Sequence, residues 1–241
     1  MSQAAISELA PHGVLRAAIN LSNFLLVTGR SPAGDPEGVA PDMAREIADR
    51  LGVPIVYVPF PKPGELADAA GTDRWDIGLI GAEPARAEKI AFTPAYVEIE
   101  ATYMVPPGSA LQAIEQVDRP GIRIAVTARS AYDLWLERNI TQAELVRSAS
   151  LDGAYEQFVQ DRLDALAGLR PRLLSDVQKL PGARILDGQF TAVQQAVGTA
   201  RANTAGAAFL RDFIEDAKQS GLVAQLIERH RVVGLSVAPR G

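Results

Sequence analysis

Cysteine is absent from this chain, and with it go disulfides, thiolate catalysis and cysteine-ligated metals. The absence does not by itself fix a compartment. Histidine is almost as scarce: His12 and His230 lie near opposite ends of the 241 residues, which excludes a histidine-rich metal site and argues against a serine–histidine triad. No metal and no cofactor are expected. No apolar run approaches ~20 residues, so no direct membrane insertion is expected. The opening MSQAAISELAPHG has neither a basic region nor an apolar stretch and does not read as a secretory signal. On that reading the protein stays in the cytoplasm, or a signal was removed before this chain was written. Positive charge is in deficit, with 24 Lys and Arg against 29 Asp and Glu, and a net charge of −5 speaks against nucleic acid or an anionic membrane as partner.

What is present is ordinary globular composition, 47% hydrophobic and 22% charged, with chain enough for one large or two small cores. Val14 to Asn20 reads as a strand, followed by polar residues and Phe24. Gly29 to Gly38 is rich in turn residues. Pro41 to Leu51 is a helix whose Met43, Ile47 and Leu51 share a face widened by Ala44 and Ala48, and Gly52 stops it. Pro54 to Val58 is a strand and Glu65 to Ala70 a short helix. Asp76 to Ile80 is mostly apolar, as a strand buried on both faces is. Pro84 suits a first helical turn, and Ile90 to Phe92 is a short strand. Strands alternating with helices predict a mainly parallel sheet covered on its faces.

A second series of the same kind follows the extended stretch Glu98 to Val105. It runs through strands at Ile122 to Val126, Glu144 to Arg147 and Leu163 to Leu169, with helices at Ala131 to Arg138, Leu151 to Val159 and Pro171 to Gln178. Asp187-Gly188 is a turn, Thr191 to Val197 is extended, and Thr204 to Arg229 is helical with a break at Gly221. The order predicts an α/β chain of two lobes, residues 1–101 with 190–241 and an inserted 102–189. The lobes share element order but not residues.

Within Trp75 to Tyr96, a strand end at Gly81, a helix start and Arg86 stand side by side. Helix-start amides favour an anion, and a guanidinium can grip a carboxylate with two bonds. A surface arginine on a helix turn accounts for the same residues, and on side-chain chemistry alone it is the commoner case.

Further residues shift that balance. Gly38, the run Pro41 to Ala48, Leu51-Gly52-Val53, Trp75-Asp76-Ile77, and above all Arg86-Ala87-Glu88-Lys89-Ile90-Ala91-Phe92-Thr93-Pro94-Ala95-Tyr96 resemble the polar-amino-acid branch, family 3, of the type II periplasmic solute-binding proteins of ABC transporters. So do Gly121 to Val126, Arg162 to Ala165 and the paired helices near the carboxyl end, so that the likeness runs from about Leu15 to Arg229. The resemblance implies a two-lobed clamp with two hinge crossovers, non-catalytic, closing on a small carboxylate-bearing solute and serving a membrane permease. It implies that Arg86 holds the ligand carboxylate with Ser130, and that Asn20, Asn23 and Phe24 supply polar and aromatic contacts. It also implies a periplasmic location.

The chain departs from that pattern at several places. Gly81 and Glu83 stand where serine or threonine is usual, and Arg129 where glycine is usual. Leu169, with Arg170 next, stands where an acid would take the ligand's ammonium. A buried ammonium left unpaired costs several kcal/mol. Either Glu83 takes that role, or the ligand is a carboxylate or dicarboxylate without an amine; the second is preferred. Two other classes stay open: a cyclohexadienyl dehydratase-like enzyme, with Glu83 as general acid, and a cytoplasmic ligand sensor. Trp75 and Trp135 are read as packing residues, Asp164 as a cap or turn, Glu98 and Glu100 as solvated hinge charges, and one of Gln194 and Gln195 as reaching the cleft.

Overall fold

The computed structural model describes residues 3–241. The chain divides into two compact units, Met1–Glu98 with Gln194–Gly241, and Ile99–Val193. In chain order the first unit contains α1 (Gln3–Leu9), β1 (Leu15–Asn20), β2 (Gly29–Arg30), β3 (Pro36–Glu37), α2 (Val39–Leu51), β4 (Ile55–Phe60), α3 (Pro63–Asp68), β5 (Ile77–Gly81), α4 (Pro84–Ala87) and β6 (Ile90–Phe92). Strand β7 (Val97–Val105) carries the chain into the second unit. There follow β8 (Arg123–Thr127), α5 (Ala131–Asn139), β9 (Glu144–Ser148), α6 (Leu151–Gln160), β10 (Ala165–Leu169), α7 (Arg170–Asp176) and β11 (Arg184–Ile185). Strand β12 (Thr191–Ala200) returns to the first unit, which ends with α8 (Thr204–Gln219), α9 (Leu222–Arg229) and β13 (Ser236–Val237).

Each unit has a mixed sheet rather than the mainly parallel one expected: three strands pair in parallel, antiparallel strands flank them, and helices cover the faces. In the first, β1 pairs in parallel with β4 on one side and β5 on the other, and β12 runs antiparallel to β5. All five residues of β5 are buried, as expected of a strand covered on both faces. The alternation of β1 sorts its side chains: Ala17 and Ile19 join the core under α2, α8 and α9, while Ala18 faces Leu66 of α3, Phe60 and Trp75. Trp75 is a packing residue, its Nε1 donating to the Leu66 carbonyl at 3.2 Å.

Helix α2 begins at Val39 rather than Pro41. Proline is then third in the helix, where its missing N–H is still one of the donors without an intrahelical acceptor. Gly52 closes the helix at φ 69°, its N–H meeting the Ala48 and Asp49 carbonyls. Gln3–Leu9, before β1, form α1. The Glu8 carboxylate accepts from the Gly206 N–H at 2.7 Å, and a β-carbon on Gly206 would sit 2.7 Å from Leu9 Cδ2, so glycine permits the close approach of α1 and α8. On α8, Leu210, Phe213, Ile214 and Ala217 are buried, with Phe209 at the edge of the core.

The second unit repeats the topology. Strand β8 pairs in parallel with β9 and with β10, and β10 pairs antiparallel with β7. Met104, Ala125, Phe158, Leu166 and Leu173 form its core. A shared device sits at the amino ends of the strands. Asp76, just before β5, accepts from the Arg16 N–H of β1 at 2.8 Å, and Asp164, just before β10, accepts from the Arg123 N–H of β8 at 2.8 Å. Asp164 therefore stands outside the strand, which begins at Ala165 rather than Leu163.

Candidate functional site

In both units the chain makes its first strand, adds a second on one side, then crosses back to add a third on the other. Between the first and third strands the direction of winding reverses, and there the carboxyl ends diverge and leave a crevice in which open α/β sheets bind ligands. In the first unit these are the ends of β1, at Asn20, and β5, at Gly81; in the second, the ends of β8, at Thr127, and β10, at Leu169.

After β5, Glu83 takes an extended conformation and caps α4. Arg86 is the third residue of this helix, 5% exposed, with its Nη1 donating to the Gly81 carbonyl at 2.7 Å. Helix α4 is a single turn of four residues. Its aligned dipoles are too few to make the helix-start field that the sequence suggested, so any attraction for an anion comes from the guanidinium. Glu83, 8% exposed, is the nearest buried carboxylate in sequence.

The loop after β1 is held by its own side chains. Asn20 Oδ1 accepts from the Ser22 hydroxyl at 2.8 Å, and the buried Asn23 Oδ1 accepts from the Leu25 and Leu26 N–H groups at 3.3 Å each. Both asparagines thus organise the loop through their oxygens. Phe24 is 38% exposed beside them.

In the second unit Arg129 has φ 60°, the left-handed conformation that glycine adopts freely and a β-carbon makes costly, by roughly 1 kcal/mol. That strain explains why glycine suits this position. Its N–H donates to Asp133 Oδ2 at 2.7 Å, which offsets the cost. Ser130 caps α5, its Oγ accepting from the Asp133 N–H at 3.1 Å, so each residue of the pair satisfies a donor at the helix start. Asp133 is 2% exposed and also holds Arg147 Nε at 2.9 Å. Capping uses a lone pair of Ser130 and leaves its hydroxyl proton to donate.

Two neighbours of Ser130 had no signal in the sequence. Thr127 Oγ1 and the Tyr132 hydroxyl are buried without a hydrogen-bond partner of good geometry. Burial pushes the Tyr132 phenol up, against a smaller opposing effect of the Thr127 and Ser130 hydroxyls.

At the end of β10 the sequence pattern needs correction. Leu169 is the last strand residue and 8% exposed; Arg170 is not on the strand but opens α7. Its Nε donates to Glu100 Oε2 at 2.5 Å and its Nη2 to the Gly188 carbonyl. Arg170 is thus a charge already met by an acid, the exposed Glu100. Glu98 likewise accepts from Gln194 Nε2 at 2.9 Å. Trp135 packs against Phe190, ring centres 5.4 Å apart. Among the described residues, no group of three or more side chains gathers that could hold a metal ion, and no helix is long and apolar enough to cross a membrane.

Comparison with known proteins adds three findings. The family model for bacterial extracellular solute-binding proteins, family 3, matches residues 24–232. Among solved structures, a mutant of ArgBP from T. maritima superposes with a TM-score of 0.73 at 22% identity, over 94% of this chain and 99% of that one. An amino acid ABC transporter substrate-binding protein from Streptococcus pneumoniae, bound to L-arginine, gives 0.73 at 19% identity, over 98% of this chain and 100% of that one. Among curated proteins, cyclohexadienyl dehydratase of Pseudomonas aeruginosa is 24% identical over 229 residues, 92% of this chain and 84% of the relative. The structural likeness establishes a two-lobed fold of the periplasmic-binding-protein kind.

Proposed function

Because the chain belongs to the bacterial extracellular solute-binding proteins, family 3, we propose that it captures a small carboxylate-bearing solute, an amino acid or related organic acid, and delivers it to the membrane permease of an ABC transporter. One observation carries the reading. Every residue singled out for binding lies at, or a few residues past, the carboxyl ends of the two strands that flank a reversal of winding. These are Asn20, Asn23, Phe24, Gly81, Glu83 and Arg86 in one unit, and Arg129, Ser130, Leu169 and Arg170 in the other. Arg86 is the anchor for the carboxylate, Ser130 donates its free hydroxyl proton, and closure brings both sets to one ligand outside the cytoplasm.

The second unit favours an acid without an α-amino group. Its carboxylates near the strand ends are committed, Asp133 to Arg147 and the Arg129 N–H, Glu100 to Arg170. Leu169 offers an ammonium no acceptor, and desolvating one without a partner costs several kcal/mol. Since Arg170 is paired, a monocarboxylate suits the site better than a dicarboxylate. A thermal-shift screen that pairs each amino acid with its 2-oxo or deamino analogue tests this, with calorimetry on the best pair. The analogues should stabilise the protein more; stabilisation by amino acids alone would overturn the preference.

The dehydratase relative supports a second reading, elimination from a carboxylated ring with Glu83 as the acid. Turnover of prephenate or arogenate by the purified protein would establish it in place of simple binding.

A further inference from the structure

Strand alternation lets only one of Gln194 and Gln195 reach the ligand side, and their partners separate them. Gln194 donates through Nε2 to Glu98 Oε1 at 2.9 Å. Gln195 lies on the other face of β12, in the row that continues through Val197 and Thr199 opposite Leu79 and Ile77. It stands across from Gly81, the last residue of β5. The Ala82 N–H donates to the Gln194 carbonyl at 2.7 Å, so Gly81 and Gln195 form a pair whose main-chain groups point away from each other. In such pairs the Cα atoms are about 4.5 Å apart and the side chains are at their closest. Both carbonyls are taken: that of Gly81 accepts from Arg86 Nη1 at 2.7 Å, and that of Gln195 from the Tyr96 N–H at 2.9 Å.

What remains of Gln195 is its carboxamide. The residue is 5% exposed, yet among the described residues its amide oxygen and nitrogen meet no hydrogen-bond partner. Neither atom is sealed, unlike the hydroxyls of Tyr96, Thr127 and Tyr132, so both keep a narrow path to solvent. Gly81 has no side chain with which to cover them from β5. A buried amide with its whole hydrogen-bonding capacity unspent calls for a reason. Its place supplies one: it stands at the strand end where Arg86 is held, across one strand spacing from the residue that Arg86 grips.

We propose that Gln195 is a specificity-determining residue of the first unit, which reads a neutral oxygen on the carbon next to the ligand's carboxylate, so that the preferred ligands are 2-oxo or 2-hydroxy acids. The inference rests on the reading that Arg86 anchors the carboxylate. A carboxamide donates through its nitrogen and accepts through its oxygen. It meets a carbonyl with the first and a hydroxyl with either. To an ammonium it offers one neutral acceptor against three donors and a full charge, which makes it a poor substitute for a carboxylate. A ligand with only hydrogens on that carbon leaves the amide as it is in the free protein, without a partner.

The test uses two matched sets of probes on the full chain. One is pyruvate, L-lactate, propionate and L-alanine; the other is phenylpyruvate, 3-phenyllactate, 3-phenylpropionate and L-phenylalanine. Calorimetry gives the affinities and urea unfolding the stabilities. In the set that binds more tightly, the oxo or hydroxy acid should bind the wild type about three- to tenfold better than the unsubstituted acid, the range of one neutral hydrogen bond. Gln195→Leu should bring the oxo and hydroxy acids down to the unsubstituted one. Gln195→Glu, which keeps the volume and adds a charge, should turn the preference toward the amino acid. A wild type that binds oxo, hydroxy and unsubstituted acids alike, or a Gln195→Leu protein that keeps the preference, overturns the assignment of Gln195 and leaves the carboxylate anchor standing. Equal weakening of every ligand by Gln195→Leu gives the residue a structural role alone and overturns the assignment as well. Should Gln195→Leu fail to fold, an unchanged ratio of oxo acid to amino acid in Gln195→Glu overturns it independently. Unchanged affinity in Arg86→Ala, or no binding of any of the eight probes by the wild type at millimolar concentration, overturns the reading of Arg86 and this inference with it.

Discussion

Replacing Arg86 by alanine separates a ligand anchor from a structural clasp, because the side chain is placed to do both. Arg86 is 5% exposed and its Nη1 holds the Gly81 carbonyl at the end of β5 at 2.7 Å. A hydrogen bond from a charged donor is worth about 1.5–3 kcal/mol net. Arg86→Ala should therefore lower the stability of the first unit by about that amount, whatever the ligand. Affinity is the second observable. Truncating one partner of a buried charge pair costs about 2–5 kcal/mol, which is roughly 30-fold to several thousandfold in Kd. Arg86→Lys keeps the charge and loses the planar fork, so its affinity should fall between wild type and alanine. Calorimetry with the best acid from the thermal-shift screen, run well below the unfolding transition of each variant, gives the affinities; urea unfolding gives the stabilities. A folded Arg86→Ala protein that has lost stability but binds within about twofold of wild type, well inside the expected loss, would show that Arg86 is only a clasp.

Small-angle scattering should give a smaller radius of gyration with saturating acid than without it, and equal radii would refute the clamp. Asp118 is held down to about 2: burial would raise it, but the N–H groups of Ala143, Thr141 and Gln142 and the Thr141 hydroxyl outweigh that. A carboxyl lowered by folding stabilises above its unfolded value of about 3.9 and ceases to as pH falls through about 2. Over that window wild type should lose about 1–2 kcal/mol more than Asp118→Asn in urea titrations, after allowance for solvent screening at a partly exposed site; parallel titrations would refute it. A β-carbon at Gly198 would lie 2.3 Å from Ile90 Cγ2 and 3.0 Å from Phe92 Cδ1, so Gly198→Ala should destabilise by about 1–3 kcal/mol through overpacking, and an unchanged urea midpoint would contradict that packing.

Elements with their own periodic signal were legible in the sequence. The stripe of α2, the buried run of β5 and the break at Gly221 are local facts, and each element lies within a few residues of where its pattern puts it. Elements made by distant partners were not. Helix α1 is seven residues long and is held by Glu8 bonding Gly206, 198 positions away. Strands β11 and β13 have two residues each and exist because β7 offers them an edge. Two residues cannot show a period of two, so only the tertiary partner reveals them. The same limit hid a contact that the two units share. The matched pairs Arg16–Asp76 and Arg123–Asp164 are separated by 60 and 41 positions and mean nothing until the strands lie side by side.

The candidate site shows the limit most sharply at Leu169 and Arg170. Read as strand residues, they would point to opposite faces, one apolar and one a spare cation. The strand stops at Leu169 because the next residue opens α7, with Pro171 in its first turn where proline is tolerated. Arg170 then reaches Glu100, which the sequence places 70 residues earlier on another strand. The consequence is a change in where charge is available. In the second unit Glu100 answers Arg170 and Asp133 answers Arg147, which leaves Ser130 with its hydroxyl neighbours and the apolar Leu169 at the strand ends. In the first unit the guanidinium of Arg86 sits where the chain reverses its winding. Under the proposed function, an acid anchored by Arg86 needs a single negative group and a polar or apolar remainder, and a zwitterion brings an ammonium that the Leu169 side chain cannot meet.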